Sequence, residues 1–152
     1  MRPINKIIAP YDFSGPSDEG LNQAIDFAEH FGSELLLIHV IELPRVMPPV
    51  GPPASPGFAK DKLVQEIRDS AAAKLNEIQK ERFPAGLQSR VILTEGVAAD
   101  EIARIAEEEN ADMIVIATHG WAGWRRFIFG SVTEKVVRLA TCQVLIVPEP
   151  GE

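Results

Sequence analysis

The residues best placed for chemistry lie between positions 117 and 134, where the chain reads Ala-Thr-His-Gly-Trp-Ala-Gly-Trp-Arg-Arg-Phe-Ile-Phe-Gly-Ser-Val-Thr-Glu. Glycines just ahead of a helix let backbone amides come close to a phosphate, and the positive end of the helix dipole adds to the attraction. Ser131 and Glu134 also stand at capping-box spacing. In that motif the serine hydroxyl accepts from the Glu134 amide and the carboxylate reaches back to Ser131. The two roles are compatible, because such a cap leaves the amides of Val132 and Thr133 open. Asp12, just past the first apolar run, is either a ligand or a turn residue bonding its own backbone. His39 interrupts an apolar run and is expected to be a satisfied core histidine, and His119 to orient its loop; neither is assigned catalysis. Asp18 and Glu19 fall in the first turn of a helix, where carboxylates are structurally favoured.

These groups are held by a regular alternation of elements. Apolar runs at 4–9, 35–41, 91–94, 113–117 and 144–147 read as strands, and the short, nearly unbroken ones suit strands covered on both faces. Apolar residues at three- and four-residue spacing mark helices over 17–31, 60–82, 99–109 and 132–140, with Pro16 in the first turn of the first and Gly32 after its end. On the second helix Leu63, Ile67, Ala71, Leu75 and Ile78 share a face. Residues 43–58 hold six of the twelve prolines and are expected to be a long surface loop. Five strands alternating with four helices predict an α/β fold, an open doubly wound and mostly parallel sheet in a single domain spanning 1–152. In such sheets ligands bind beyond the carboxyl ends of the strands.

The chain carries 22 acidic against 15 basic residues, a net charge of -7, and offers no basic stripe for a nucleic acid. One pocket can still hold a small anion. Cys142 is the single cysteine, so no internal disulfide forms; a buried thiol and a reducing cytoplasm are expected. No apolar stretch approaches eighteen residues, and no membrane insertion is expected.

The order of elements, together with Ala9-Pro10-Tyr11-Asp12-Phe13-Ser14, Ile38-His39-Val40 and Gly130-Ser131-Val132-Thr133-Glu134-Lys135-Val136, resembles the universal stress protein family over essentially the whole chain. Its nucleotide-binding members carry G-x-x-G, nine residues, then G-S or G-T. Gly120, nine residues, Gly130 and Ser131 match, with Ala117 in place of the first glycine. The resemblance implies a Rossmann-like sheet of order 3-2-1-4-5, with the loops after the first and fourth strands walling one cleft. Pro10, Tyr11, Asp12 and Val40 would surround adenine and ribose, Asp12 accepting from hydroxyls or helping to hold Mg. Gly120, Gly130, Ser131, Val132 and Thr133 would hold the phosphates of ATP, AMP or ADP, and Ala117, Thr118 and His119 complete the set. Arg125 or Arg126, in a cluster with Trp121 and Trp124, would reach a γ-phosphate; alternatively that loop folds onto its own surface. A methyl group at Ala117 stands to crowd the nucleotide. The resemblance further implies a homodimer through Val144, Leu145, Ile146 and Val147 and a nucleotide-binding regulatory role in stress response. The alternatives are a slow ATPase or nucleotide hydrolase, and an interaction protein that has lost its nucleotide.

Overall fold

Strands without a polar break need cover on both faces, and the computed structural model supplies it. The structure describes residues 2–43, 57–118 and 130–149. In chain order these form β1 (Lys6–Pro10), α1 (Gly15–Phe31), β2 (Glu34–Ile41), α2 (Gly57–Arg82), β3 (Ser89–Glu95), α3 (Ala98–Glu108), β4 (Met113–Ala117), α4 (Ser131–Leu139) and β5 (Gln143–Val147). The sheet has the order β3-β2-β1-β4-β5. Every neighbouring pair is parallel, with Ile7 of β1 opposite Leu35 of β2 and Met113 of β4.

Alternation along the strands splits the core in two. Ile7, Ala9, Leu35, Leu37, Met113 and Val115 pack with Leu21, Ala24 and Ala28 of α1 and Leu75 of α2. Ile8, Leu36, Ile38, Ile114 and Ile116 face the other way, onto Ile102, Ile105 and Ala106 of α3 and Val136 of α4. Each fully buried aliphatic side chain is worth about 1.5–3 kcal/mol, so a slip of one residue, which exchanges the faces, is strongly disfavoured. No described helix is long and apolar enough to cross a membrane.

Element boundaries depart from expectation where contacts distant in sequence set them. β3 runs from Ser89 to Glu95, longer than 91–94, because seven register pairs with β2 carry its polar ends. β1 starts at Lys6 and includes Pro10. α2 starts at Gly57, so the proline-rich loop ends before 58; residues 44–56 lie outside the described residues. Only part of the α2 stripe is covered, with Ala71 and Leu75 buried while Leu63 is 57% exposed.

The capping box is absent. Ser131 is the first residue of α4 and Gly130 its N-cap, which makes no side-chain cap bond. The Glu134 amide bonds the Gly130 carbonyl at 2.9 Å, and the Glu134 carboxylate turns away to pair with Arg138 one turn on. With Gly130 as N-cap, Ser131 already stands inside the helix, one residue past the position the motif requires. α3 is capped from a distance, Glu42 Oε1 accepting from the Ala98 amide at 3.0 Å.

Candidate functional site

The first wall of the site grows from the end of β1. The Tyr11 amide continues the ladder to the Ile38 carbonyl at 2.8 Å, and its own carbonyl accepts from His39 Nδ1 at 2.7 Å. Asp12 then makes a tight turn: Oδ1 accepts from the Ser14 amide at 3.0 Å and from the Ser14 hydroxyl. Ser14 in turn caps α1, its hydroxyl accepting from the Ser17 amide at 3.3 Å. Asp12 is thus the self-bonding turn residue that one of its two sequence readings described. Phe13 between them has φ +65°, a left-handed conformation costing an aromatic residue on the order of 1–3 kcal/mol. Its ring lies 5.3 Å from Tyr11 and 4.8 Å from His39, with Lys74 Nζ 5.7 Å from its centre.

Tyr11 is buried, and its hydroxyl donates to Asp18 Oδ1 at 2.6 Å. Burial, and the Asp18 carboxylate beside it, push the phenol up to about 12. The Tyr11 hydroxyl, helped by Arg82, holds Asp18 below the usual carboxylate range. Asp18 is structural, as expected, but through these side chains as well as the helix dipole.

The second wall is built from the end of β4 and the start of α4. Thr133 is 3% exposed and donates from Oγ1 to the Ala117 carbonyl at 3.2 Å, pinning the helix start to the strand end. The Thr118 amide bonds the Val147 carbonyl at 3.0 Å. The first amides of α4 have no partner within the helix. Gly130 has φ -57° and ψ 151°, which any residue can adopt, and a Cβ there would meet nothing described within 4 Å. Neither backbone conformation nor packing among the described residues calls for glycine there.

The Ala117 methyl does not point where crowding of the nucleotide was expected. A Cβ on Gly20 would lie 3.2 Å from the Ala117 Cβ, so the Ala117 methyl faces α1 across the close approach that Gly20 permits. Strand alternation puts it on the side opposite Ile116, away from α3 and α4. The anticipated crowding is directed at a helix.

Between the walls lies a cleft of about 620 Å³. Pro10, Tyr11, Asp12, Val40, Ala117, Gly130, Ser131, Val132 and Thr133 all line it. Thr118 is buried and does not line it, and His119, Gly120, Trp121, Trp124, Arg125 and Arg126 lie outside the described residues. Sequence reasoning missed Ser14, Glu42, Ile67, Ala98 and Ile102 as lining residues and placed His39 in the core, whereas it is half-buried and borders the cleft. The available signal was positional: Glu42 directly follows β2 and Ala98 opens α3, separated from β3 by two residues, and the carboxyl ends of both strands open on the same side as those of β1 and β4. The floor is apolar, from Ile38, Val40, Ile102 and Ile116. Ser131, Val132 and Thr133 line the cleft from the start of α4, and Asp12 and Glu42 from just beyond β1 and β2. No group of three His, Cys, Asp or Glu residues able to hold a metal occurs among the described residues.

A model of the universal stress protein family matches residues 3–148. The universal stress protein MJ0531 of Methanocaldococcus jannaschii is 36% identical over 95% of this chain and 82% of its own length. The universal stress protein YxiE of Bacillus subtilis is 30% identical over 95% and 99%. Among solved structures, that of the hypothetical protein MJ0577 superposes with a TM-score of 0.82 at 28% identity, covering 99% of this chain and 100% of that one. A universal stress protein in complex with cAMP shares the fold, with a TM-score of 0.64 at 20% identity over 97% of this chain and 98% of that one. With its parallel sheet of order 3-2-1-4-5, this chain belongs to the universal stress protein family.

Proposed function

We propose that the cleft binds an adenine nucleotide, in the first instance ATP, and that occupancy serves as a regulatory signal in stress response. One observation carries this: a slot with an apolar floor, lined at the start of α4 by residues whose amides have no partner within the helix and elsewhere by Asp12 and Glu42. The floor suits the faces of a purine. Asp12 suits ribose hydroxyls, which donate to a carboxylate, and the amides at the start of α4 suit phosphate oxygens. Gly130 contributes the absence of a side chain, leaving room for a phosphate against the helix end. The family, and the cAMP held by a universal stress protein of the same fold, support the ligand class.

Within this proposal Pro10, Tyr11, Asp12 and Val40 border the base and sugar, and Ala117, Gly130, Ser131, Val132 and Thr133 the phosphates. Thr118 supports the strand end; the family resemblance assigns His119, Gly120, Arg125 and Arg126 to the phosphates, and these lie outside the described residues. Mg suits this set only as an ion shared with phosphate oxygens and water, since one or two carboxylates suffice there. Asp12 already orders its turn through one oxygen. The outermost strand β5 offers Val144, Leu145, Ile146 and Val147 for pairing with a second copy, as a twofold dimer would require.

The test is to denature freshly purified protein and identify released nucleotide by chromatography and mass, beside a Gly130→Val, Ser131→Ala variant. ATP released near one per chain from wild type alone supports the proposal. An empty wild type that also ignores added Mg-ATP rejects it.

A further inference from the structure

The turn that presents Asp12 is braced from beneath by groups outside the cleft. Tyr11 points its ring into the core between α1 and α2, in the cluster holding Leu21 and Leu75. Packing there would be satisfied by phenylalanine; the hydroxyl serves Asp18, to which it donates, and lies within reach of Arg82. Asp18 Oδ1 also accepts from Arg82 Nη1 at 2.5 Å, and Arg82 Nη2 reaches the Asp18 carbonyl at 3.2 Å and Asn22 Oδ1 at 2.7 Å. The guanidinium at the end of α2 therefore locks both the side chain and the main chain of the first turn of α1. Tyr11 is tied to that turn, and the next residue along the chain is Asp12.

The same residues enclose a strained segment. Phe13 is held in its left-handed conformation against the Tyr11 ring, and Tyr11 is held at its other end by Asp18. A turn in a sparsely populated conformation persists only where its surroundings over-determine it, and such turns concentrate at sites of binding. We propose that Arg82 and Asp18 are positioning residues for nucleotide binding, latching the Tyr11 hydroxyl so that the Asp12 turn is set before a ligand arrives. The inference rests on the proposed nucleotide function. The latch removes an ordering cost from binding, so its loss weakens affinity; Arg82 does not line the cleft, and its variants leave every cleft-lining side chain unchanged.

The test uses Tyr11→Phe, Arg82→Met, Arg82→Lys and the Tyr11→Phe, Arg82→Met double variant of the full chain. Calorimetric titration with Mg-ATP gives affinity, and amide NMR spectra of nucleotide-free protein report the turn. Each of Tyr11→Phe and Arg82→Met is expected to weaken Mg-ATP binding by about tenfold. Arg82→Lys is expected to recover part of the loss. The double variant should lose little more than either single one, because both break the same latch. In the nucleotide-free variants the amide signals of Asp12 and Ser14 should move while those of Leu35 and Ile114 stay. Wild type that binds Mg-ATP, with variants within twofold of it or with fully additive losses in the double variant, overturns the latch alone. Wild type that binds no Mg-ATP removes the function on which the latch rests.

Discussion

The two walls of the cleft are made differently. The β1 wall is a web of side-chain bonds: His39 to the Tyr11 carbonyl, Tyr11 to Asp18, Asp12 to Ser14, and Arg82 beneath. Among the described residues the α4 wall has fewer side-chain bonds, with Thr133 bonded to the Ala117 carbonyl and Gly130 presenting no side chain. One wall holds a carboxylate in place through its neighbours, and the other presents main-chain amides whose positions follow from the helix itself. The contrast teaches that the α4 wall is vulnerable to added atoms and the β1 wall to lost bonds.

Gly130→Val should show the largest effect. Because a Cβ meets no described protein atom, melting temperature should change little, while Mg-ATP affinity falls by about 3 kcal/mol, roughly hundredfold. An unaltered affinity in calorimetry would place the phosphates elsewhere. Gly20→Ala probes the strand end beneath the same wall. Its new Cβ lies 3.2 Å from both Cβ and N of Ala117, so overpacking should cost about 1–3 kcal/mol in denaturant unfolding. Adding Ala117→Gly should return part of that loss.

Asp12→Ala is the corresponding cut in the β1 wall. Loss of the turn bonds to Ser14 should cost about 1 kcal/mol of stability and lower affinity further than Gly20→Ala does, separating a ligand role from a structural one. Thr133→Val keeps the shape and removes the bond to Ala117, for about 1 kcal/mol by chemical denaturation.

The smallest effect is in pH dependence. The folded phenol of Tyr11 titrates near 12 against an ordinary 10.0. Its contribution to stability is therefore fully present below pH 10 and lost as pH rises towards 12. Tyr11 is the single tyrosine, so its ultraviolet titration reads the group directly. Asp18→Asn should move that titration downward, because the carboxylate is one of the groups raising it; an unmoved curve would break the link between Tyr11 and Asp18.

Much of the fold was legible because apolar runs and helical spacing leave a local trace. The alternation of five strands and four helices follows from Leu35 to Ile41, Met113 to Ala117 and their like, and the order 3-2-1-4-5 followed from the family resemblance. What escaped was decided at long range. The ends of β3 depend on pairing with β2, the cap of α3 is Glu42 from another loop, and the Ser131 box fails because the helix starts one residue earlier, with Gly130 as N-cap. The direction of the Ala117 methyl required knowing that Gly20 lies opposite it. Within the site, glycine and serine spacing announced Gly130 and Ser131, whereas the tie between Tyr11, Asp18 and Arg82 joins residues 64 positions apart and left no sequence pattern.

The most direct test of the cleft is residue-resolved NMR titration of nucleotide-free protein with Mg-ATP. The largest amide shifts should fall on Asp12, Val40, Ser131, Val132 and Thr133, with saturation near one nucleotide per chain. Shifts confined to other surfaces, or none at millimolar nucleotide, would contradict adenine-nucleotide binding in this cleft.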